Sequence, residues 1–210
     1  MEHRKHLQKD KLLGAILKHQ PTVTLAQQNQ LHLALCSSII SQQLSTKVAK
    51  VIYARFLGLF KTKTPTPKLI LAVPFDTLRA IGLSNAKTNY VFNVCNFFVA
   101  HKLTDKKLHA MQDDELIELF IKIKGVGKWT IEMILMFAMG RPDVFAVDDL
   151  GIQQAMVKAY GLDATNRRNI KIDMVAIAKN WRPCRTYACR YLWQWKDSQV
   201  TQIAPGLASK

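Results

Sequence analysis

Hydrophobic residues recur at spacings of three and four along almost the whole chain, which is the spacing of one helix face. One such face runs through Leu31, Leu35 and Ile39, and another runs through Leu116 and Phe120. Alternation with a period of two never continues long enough to indicate a strand. The pattern therefore predicts an all-α protein built of many short helices.

Turn-forming residues divide these helices from one another. The segment Thr62–Pro67 indicates an exposed loop, and Gly82 is placed to end a short helix. Ser84 is suited to cap the long helix that follows, since a serine oxygen accepts a bond from a first-turn N–H. Later helices are predicted to begin near Asp113, Leu150, Ile170 and Cys184. Residues 196–210 are predicted to form a flexible tail.

The composition adds a strong positive charge to this picture. In 210 residues, 49% of them apolar, there are 30 Lys and Arg against 15 Asp and Glu, for a net charge of +15. Such a surplus attracts polyanions, with nucleic acid the first candidate and an anionic membrane face the second. No run of about 18 apolar residues predicts a membrane span. The start of the chain lacks an export signal, so we expect an intracellular protein.

The cysteines argue against a metal cluster. Cys36, Cys95, Cys184 and Cys189 are scattered along the chain. A zinc or iron–sulfur site needs thiolates that lie close together. We therefore expect reduced thiols that behave as small hydrophobic groups, and no iron–sulfur cluster.

A glycine turn between two predicted helices is the most distinctive local feature. Gly125 and Gly127 superficially resemble a dinucleotide-binding fingerprint, but Thr130 stands where a third glycine is required. Glycine permits positive φ and close approach of the backbone to a ligand. The helix that follows presents free N–H groups, which suit an anion such as a DNA phosphate. The alternative is an ordinary corner between two helices, in which the glycines only end a helix.

Several segments in one order extend the glycine turn into a larger motif. They read "IISQQLSTKVA", "IGLSNAKTNYV", "IKGVGKWTIEMILMF", "DVFAVDDLGIQQAM" and "WRPCRTYACRYLW". Over residues 30–195 the chain resembles the helix-hairpin-helix base-excision glycosylases, specifically the 3-methyladenine DNA glycosylase II branch. The resemblance implies two helical lobes with the active-site cleft between them, in a compact form without the N-terminal α/β domain of the bacterial founder type.

The resemblance also implies boundaries for the lobes. A central helical lobe is expected over residues 30–110, with a DNA-wedge loop at 41–46. The hairpin lobe is expected over residues 111–180. The terminal segments 1–29 and 181–195 are expected to pack on these lobes, and the protein is expected to be a monomer.

The chemistry needs a carboxylate beside the sugar, because positive charge develops there as the C1′–N bond breaks. The resemblance assigns this role to Asp149 and leaves Asp148 to cap the next helix. The alternative is that both aspartates are only caps. Trp129 stands where strand-cleaving relatives hold a lysine, and tryptophan cannot form a Schiff base, so a monofunctional enzyme that uses water is implied.

The resemblance places three residues in the base pocket: Trp129, Met133 and Trp193. Trp129 offers a π face to a positively charged alkylated purine, a contact worth about 0.5–2 kcal/mol. The alternative for Trp129 is core packing. Met133 replaces an aromatic of the bacterial type, which leaves the base preference open. Trp181 and Tyr187 are expected to be packing residues.

The target base must leave the duplex, so a wedge has to fill the gap that it leaves. The resemblance assigns the wedge to Gln43 first, then Leu44, with Gln42 beside them. The alternative is that this segment is simply a polar link between two helices.

The expected DNA-backbone contacts surround the glycine turn. Phosphate binding is assigned to Gly125, Gly127, Lys124, Lys128 and Thr130, and Lys87, Lys122 and Arg185 are expected to extend the basic surface. The resemblance also implies a monovalent cation, Na⁺ or K⁺, held by the backbone carbonyls of Ile121, Ile123 and Val126. No cofactor is expected for the chemistry itself.

The predicted function is therefore that of a monofunctional DNA glycosylase. It would flip alkylated purines out of duplex DNA and hydrolyse the N-glycosidic bond, leaving an abasic site. One alternative is a non-catalytic helical DNA-binding module that uses the hairpin only as a phosphate clamp. A bifunctional glycosylase/lyase for oxidised bases is disfavoured by Trp129 and by the missing four-cysteine cluster.

Overall fold

The computed structural model describes the backbone of residues 1–203 and the side chains of these residues except 167, 168 and 199–203. All regular elements in this range are helices, which confirms the predicted all-α class. No helix in the described part of the chain is long and apolar enough to cross a membrane.

The helices follow one another with short connections. They are α1 Glu2–Leu7, α2 Lys11–Lys18, α3 Leu31–Ser41, α4 Thr46–Gly58, α5 Pro67–Leu71, α6 Phe75–Ala80, α7 Asn85–Ala100, α8 Asp105–Ala110, α9 Asp113–Phe120, α10 Lys128–Met133, α11 Leu150–Tyr160, α12 Arg167–Lys179 and α13 Arg185–Ile203. A π-helical turn over Ile134–Ala138 continues α10. Helix α13 continues through residues 196–203, where a flexible tail is predicted, and residues 204–210 lie outside the described part of the chain.

The chain divides into two compact units. The hairpin unit comprises Ala26–Met139, and the terminal unit comprises Met1–Leu25 with Gly140–Lys210. The sequence places a lobe boundary between residues 110 and 111, whereas this division keeps the glycine turn with the helices before it. The reason is a shared core: the rings of Phe98 on α7 and Phe120 on α9 stack at 6.2 Å.

Polar caps start most helices of the hairpin unit. The side chains of Ser45, Thr66, Ser84 and Thr104 each accept a bond from a first-turn N–H of the helix that follows. The cap predicted at Ser84 is thereby confirmed. Helix α9 begins with a reciprocal capping box between Gln112 and Glu115. These caps satisfy N–H groups that a helix cannot bond internally.

Helices α3 and α7 form the centre of the hairpin unit. Leu35, Ile39, Val91 and Val94 are all fully buried. Cys36 and Cys95 are buried in the same core, and none of the four cysteines forms a disulfide. The hydrogen bond with the neighbouring Cys95 thiol, together with burial, raises the pKa of Cys36, which favours the protonated thiol. Within the described residues, no group of three or more His, Cys, Asp or Glu side chains could hold a metal ion.

A single carboxylate joins the helices of the terminal unit. Asp10 Oδ1 caps α2 by accepting the N–H groups of Leu12 and Leu13. Its other oxygen accepts the hydroxyl of Tyr160 at 2.8 Å and the indole N–H of Trp181 at 2.9 Å. Trp181 is fully buried, which fits the expected packing role. Asp10 therefore holds the N-terminal segment against α11 and the segment that leads into α13.

Candidate functional site

The glycine turn has the sharp backbone that the sequence predicts, but only one glycine has a positive φ. Gly125 has φ +102°, and a Cβ there would lie 2.2 Å from Cγ of Tyr90. No other residue fits at this position unless the ring moves. Gly127 has φ −97° and ψ 169°, an extended conformation that any residue adopts. The positive φ that glycine permits is therefore used at Gly125 and not at Gly127.

Gly127 instead leaves open space at the start of α10. A Cβ there would meet no heavy atom within 4 Å. The first bond of the helix runs from the Ile131 N–H to the Gly127 carbonyl at 3.1 Å. The N–H groups of residues 127–130 precede this first bond of the helix. A ligand anion can therefore approach these N–H groups without meeting a side chain at the capping position.

The side chains assigned to phosphate binding are placed differently from one another. Lys124 is exposed, and its backbone carbonyl accepts the amide N–H of Asn93 at 3.1 Å. The Lys128 ammonium is 57% exposed and lies 3.9 Å from the carboxylate of Glu132. The side chain of Thr130 is 2% exposed, so a phosphate contact at this position would come from its N–H.

The loop between α3 and α4 contains the predicted wedge residues. Gln43 has φ +58°, which is unusual for a residue with a side chain, and it is exposed to solvent. Leu44 is 36% exposed. Gln42 is only half-buried, and its side-chain N–H points to the Gly125 carbonyl at 3.5 Å. The loop therefore presents Gln43 and Leu44, while Gln42 faces the glycine turn.

Two of the cations expected on the DNA-facing surface are engaged inside the protein. The Lys87 ammonium donates to the carbonyls of Ile40 at 2.9 Å and Gln42 at 2.6 Å, and burial lowers its pKa. Arg185 donates to both carboxylate oxygens of Asp143, at 2.7 and 3.0 Å. Lys87 and Arg185 are therefore half-buried cations with internal partners, whereas Lys122 is exposed.

Asp149 is the N-cap of α11. Its Oδ1 accepts the N–H of Ile152 at 2.8 Å and the indole N–H of Trp193 at 2.9 Å. A Cβ on Gly151 would lie 3.0 Å from Asp149 Oδ1 and 3.0 Å from Trp193 Nε1. The glycine thus leaves the room that the carboxylate and the indole need, and the two donors fix the orientation of a half-buried carboxylate.

Asp148 does not cap this helix, so that expectation is wrong. Its carboxylate is exposed and accepts the ammonium of Lys171 at 2.6 Å. The two aspartates are adjacent, and the backbone of Asp149, with φ −72° and ψ 122°, is the one that leads into α11. Only Asp149 is joined to a predicted pocket residue.

The hairpin unit contains a cavity of about 420 Å³ beside the predicted pocket residue Met133. Its wall includes the segment before α3, α3 itself, the end of α10 and the π-helical turn, with Gln30, Ser37, Ser41, Met133 and Phe137 among the lining residues. Trp129 is 41% exposed and is not part of this wall. Met133 is therefore the one predicted pocket residue in this wall, and the wall also contains serine hydroxyls, an aromatic ring and side-chain amides.

Known proteins show which family this chain belongs to. Residues 36–183 match the family described as HhH-GPD superfamily base excision DNA repair proteins. The chain belongs to this superfamily. The match includes the wedge loop, the glycine turn and Asp149, and it ends before Trp193. The resemblance drawn from the sequence motifs is confirmed.

Proteins that this chain is similar to include DNA-3-methyladenine glycosylases. The chain is 29% identical over 188 residues to the putative DNA-3-methyladenine glycosylase YfjP of Bacillus subtilis, covering 87% of this chain but only 64% of that protein. A DNA-3-methyladenine glycosidase from Bacillus halodurans has a TM-score of 0.81 at 31% identity, over 94% of this chain and 89% of the other. The glycosylase Mag1 of Schizosaccharomyces pombe, solved with abasic DNA, has a TM-score of 0.80 at 27% identity, over 92% and 96%.

Sequence reasoning missed the polar wall of the cavity. Ser37, Ser38 and Ser41 line the cavity from α3, whose other residues are apolar apart from His32. Hydroxyls on a helix that is buried on most sides are the signal that could have identified them. The roles of Lys87, Tyr90 and Asn93 carried no such signal, because they depend on which backbone groups α7 meets.

Proposed function

We propose that this HhH-GPD protein is a monofunctional DNA glycosylase that releases alkylated purines from duplex DNA. The observation that carries the proposal is the position of Asp149, whose Oδ1 is held by Ile152 N–H and Trp193 Nε1 at the start of α11. A cap needs only the backbone bond. The added indole bond and the space left by Gly151 support a carboxylate held for chemistry.

In the proposed reaction the glycosidic bond breaks with its electron pair leaving on the purine. Alkylation at N3 or N7 makes the base cationic, so the released purine is neutral. Positive charge develops at C1′ of the sugar, where the Asp149 carboxylate stabilises it. A water molecule adds to C1′ and loses a proton, which leaves an abasic site. Asp149 also serves as the acceptor that orients this water.

Trp129 supports hydrolysis over a lyase reaction. A lyase needs an amine that attacks the sugar, and residue 129 offers none. The neighbouring Lys128 is directed toward Glu132 on the same helix at 3.9 Å. The proposed role of Trp129 is stacking on the cationic base, for which its exposed indole face is suited.

DNA is the proposed partner, bound through its phosphates at the glycine turn. The open N-terminus of α10, the exposed Lys124 and the net charge of +15 support this. Gln43 and Leu44 are the proposed wedge, since both are exposed at the tip of a short loop. The extruded base is proposed to reach the cavity beside Met133 and Phe137.

We propose that the carbonyls of Ile121, Ile123 and Val126 hold a monovalent cation. Uncharged backbone oxygens suit Na⁺ or K⁺, and a carbonyl has two lone pairs. The bond that Ile123 accepts from the Val126 N–H at 3.0 Å therefore leaves one lone pair for an ion. A bound cation would add positive charge beside the phosphate. Weaker DNA binding in tetramethylammonium chloride than in potassium chloride of equal ionic strength is the expected result, and equal binding would oppose this site.

The proposed function is tested by incubating the purified protein with methylated duplex DNA and identifying the released bases by chromatography. We expect free 3-methyladenine and 7-methylguanine and an alkali-sensitive abasic strand. Binding without any released base would favour the non-catalytic clamp. A covalent adduct trapped by borohydride would favour the lyase, and both results would contradict the proposal.

A further inference from the structure

One side of α7 contacts two separate parts of the hairpin unit. Lys87, Tyr90 and Asn93 are spaced by three residues, so each lies about 4.5 Å farther along the helix than the one before. Lys87 contacts the wedge loop, which in the structure is the connection between α3 and α4, residues 42–45 of the predicted segment 41–46. Tyr90 and Asn93 meet the glycine turn, which is residues 121–127.

Lys87 holds the wedge loop through hydrogen bonds to backbone carbonyls. Its ammonium donates to Ile40 O at the end of α3 and to Gln42 O in the loop. The last carbonyls of a helix have no partner within it, and a cation near them is stabilising. Lys87 thus fixes the carbonyl that immediately precedes Gln43, whose φ of +58° is unfavourable for a residue with a Cβ.

Tyr90 and Asn93 hold the glycine turn, the first by packing and the second by a hydrogen bond. The ring of Tyr90 occupies the space where a Gly125 Cβ would stand, with Cγ 2.2 Å and both Cδ atoms 2.6 Å from that position. The side-chain amide of Asn93 donates to Lys124 O at 3.1 Å. These contacts involve backbone groups of the turn, so they constrain its path whatever side chains it carries.

The wedge loop and the glycine turn also contact each other directly. The Gln42 side-chain amide reaches Gly125 O at 3.5 Å, so the wedge loop touches the turn that α7 also holds. The loop, the turn and α7 therefore constrain one another through four different residues: Gln42, Lys87, Tyr90 and Asn93.

We propose that this side of α7 holds the wedge loop in register with the glycine turn, so that binding of the phosphate backbone at the turn drives Gln43 and Leu44 into the base stack. Lys87 is the main positioning residue. This inference rests on the proposed function for its wedge and its phosphate contact, but not on the catalytic role of Asp149. It predicts a defect in base extrusion rather than in DNA binding or in bond cleavage.

The first test measures extrusion without chemistry. In an Asp149→Asn background, duplex DNA carries 2-aminopurine next to the lesion, and its fluorescence rises when the stack opens. With protein saturating the DNA, Lys87→Met should give less than about half of the rise seen with the parent, because opening costs a few kcal/mol that a loose loop no longer offsets. Lys106→Met, which removes an exposed lysine of α8, controls for charge. Equal rises for Lys87→Met and the parent would overturn the proposal.

The second test compares excision of one lesion in two settings, in single turnover with wild-type Asp149. On a fully paired lesion, Lys87→Met should be roughly 10-fold slower than wild type or worse, since extrusion limits the rate there. On the same lesion opposite an abasic site, where extrusion is easy, the two rates should agree within about 3-fold. Lys87→Arg should restore part of the loss. An equal defect in both settings would overturn the proposal.

If Lys87→Met fails to fold, Asn93→Leu tests the same link from the turn side, with the same pairing-dependent defect expected. If the proposed function itself is wrong, the experiments give a different set of results. In that case the wild-type protein releases no base from methylated DNA, while the fluorescence comparison still reports whether Lys87 controls the opening of the stack.

Discussion

Gly125→Ala is the most demanding single test of the hairpin geometry. A methyl group at this position would lie 2.2 Å from Cγ of Tyr90, and the backbone there has φ +102°. A residue with a Cβ at such a φ costs about 1–3 kcal/mol. Moving the ring out of contact costs about another 1–3 kcal/mol, as for other overpacked cores. The variant should therefore lose about 2–6 kcal/mol in free energy of unfolding.

The loss is measured by thermal unfolding followed by circular dichroism. For a chain of this size, 1 kcal/mol corresponds to about 2–4 °C in Tm, so a decrease of at least about 4 °C is expected. Gly127→Ala is the matched control, because its φ is −97° and no atom lies within 4 Å of the added methyl. That variant should unfold within about 1 kcal/mol of the wild type.

The Gly127→Ala variant should differ from the wild type in DNA binding rather than in stability. The methyl of Gly127→Ala enters the space through which a phosphate would reach the N–H groups of α10, so Kd for duplex DNA should rise about 10-fold, or about 1.4 kcal/mol. Wild-type stability in Gly125→Ala would refute the contact with Tyr90. Wild-type affinity in Gly127→Ala would refute phosphate binding at this turn.

Three further predictions concern the terminal unit. Trp193→Phe removes the indole hydrogen bond to Asp149, so single-turnover base release should fall about 10-fold while the Kd for DNA stays within about 2-fold. An unchanged rate of base release would contradict a role of Trp193 in positioning Asp149. Asp10→Asn weakens the charge-assisted bonds from Tyr160 and Trp181 and should cost about 1–3 kcal/mol in urea unfolding, whereas wild-type stability would contradict the joining role of Asp10. Burial and the bond to Asp10 raise the pKa of Tyr160, so above about pH 10 the unfolded state loses a proton that the folded state keeps. The free energy of unfolding should therefore fall as pH rises above about 10. Tyr160→Phe should flatten this pH dependence, and an unchanged pH dependence would contradict the role of Tyr160.

Local patterns were enough to predict the turn and most of the helices from α3 onward, but not α1, α2, α8 or the π-helical turn. A spacing of three and four residues depends only on which face is buried, and Ser84 acts within its own first turn. The need for glycine at residue 125 was also predictable. The cause was not, because it is the ring of Tyr90, which lies 35 residues earlier in the chain.

Roles that depend on tertiary neighbours could not be predicted in this way. Lys87 and Arg185 look like surface cations in the sequence, yet one anchors a loop and the other pairs with Asp143. Asp148 and Asp149 differ by one position, and a pattern of residue types does not determine which of two aspartates is the N-cap. Gly151 was the available clue, since a residue with a Cβ there would crowd the carboxylate of Asp149.

The most direct measurement of the central claim is the single-turnover rate of 7-methylguanine release by Asp149→Asn, compared with Asp148→Asn. Asparagine keeps the shape of the cap and loses the charge, so we expect release to fall by about 10²-fold or more with DNA affinity unchanged. Asp148→Asn removes only an exposed ion pair with Lys171 and should retain the wild-type rate. Undiminished release by Asp149→Asn, or an equal loss in Asp148→Asn, would contradict a catalytic Asp149.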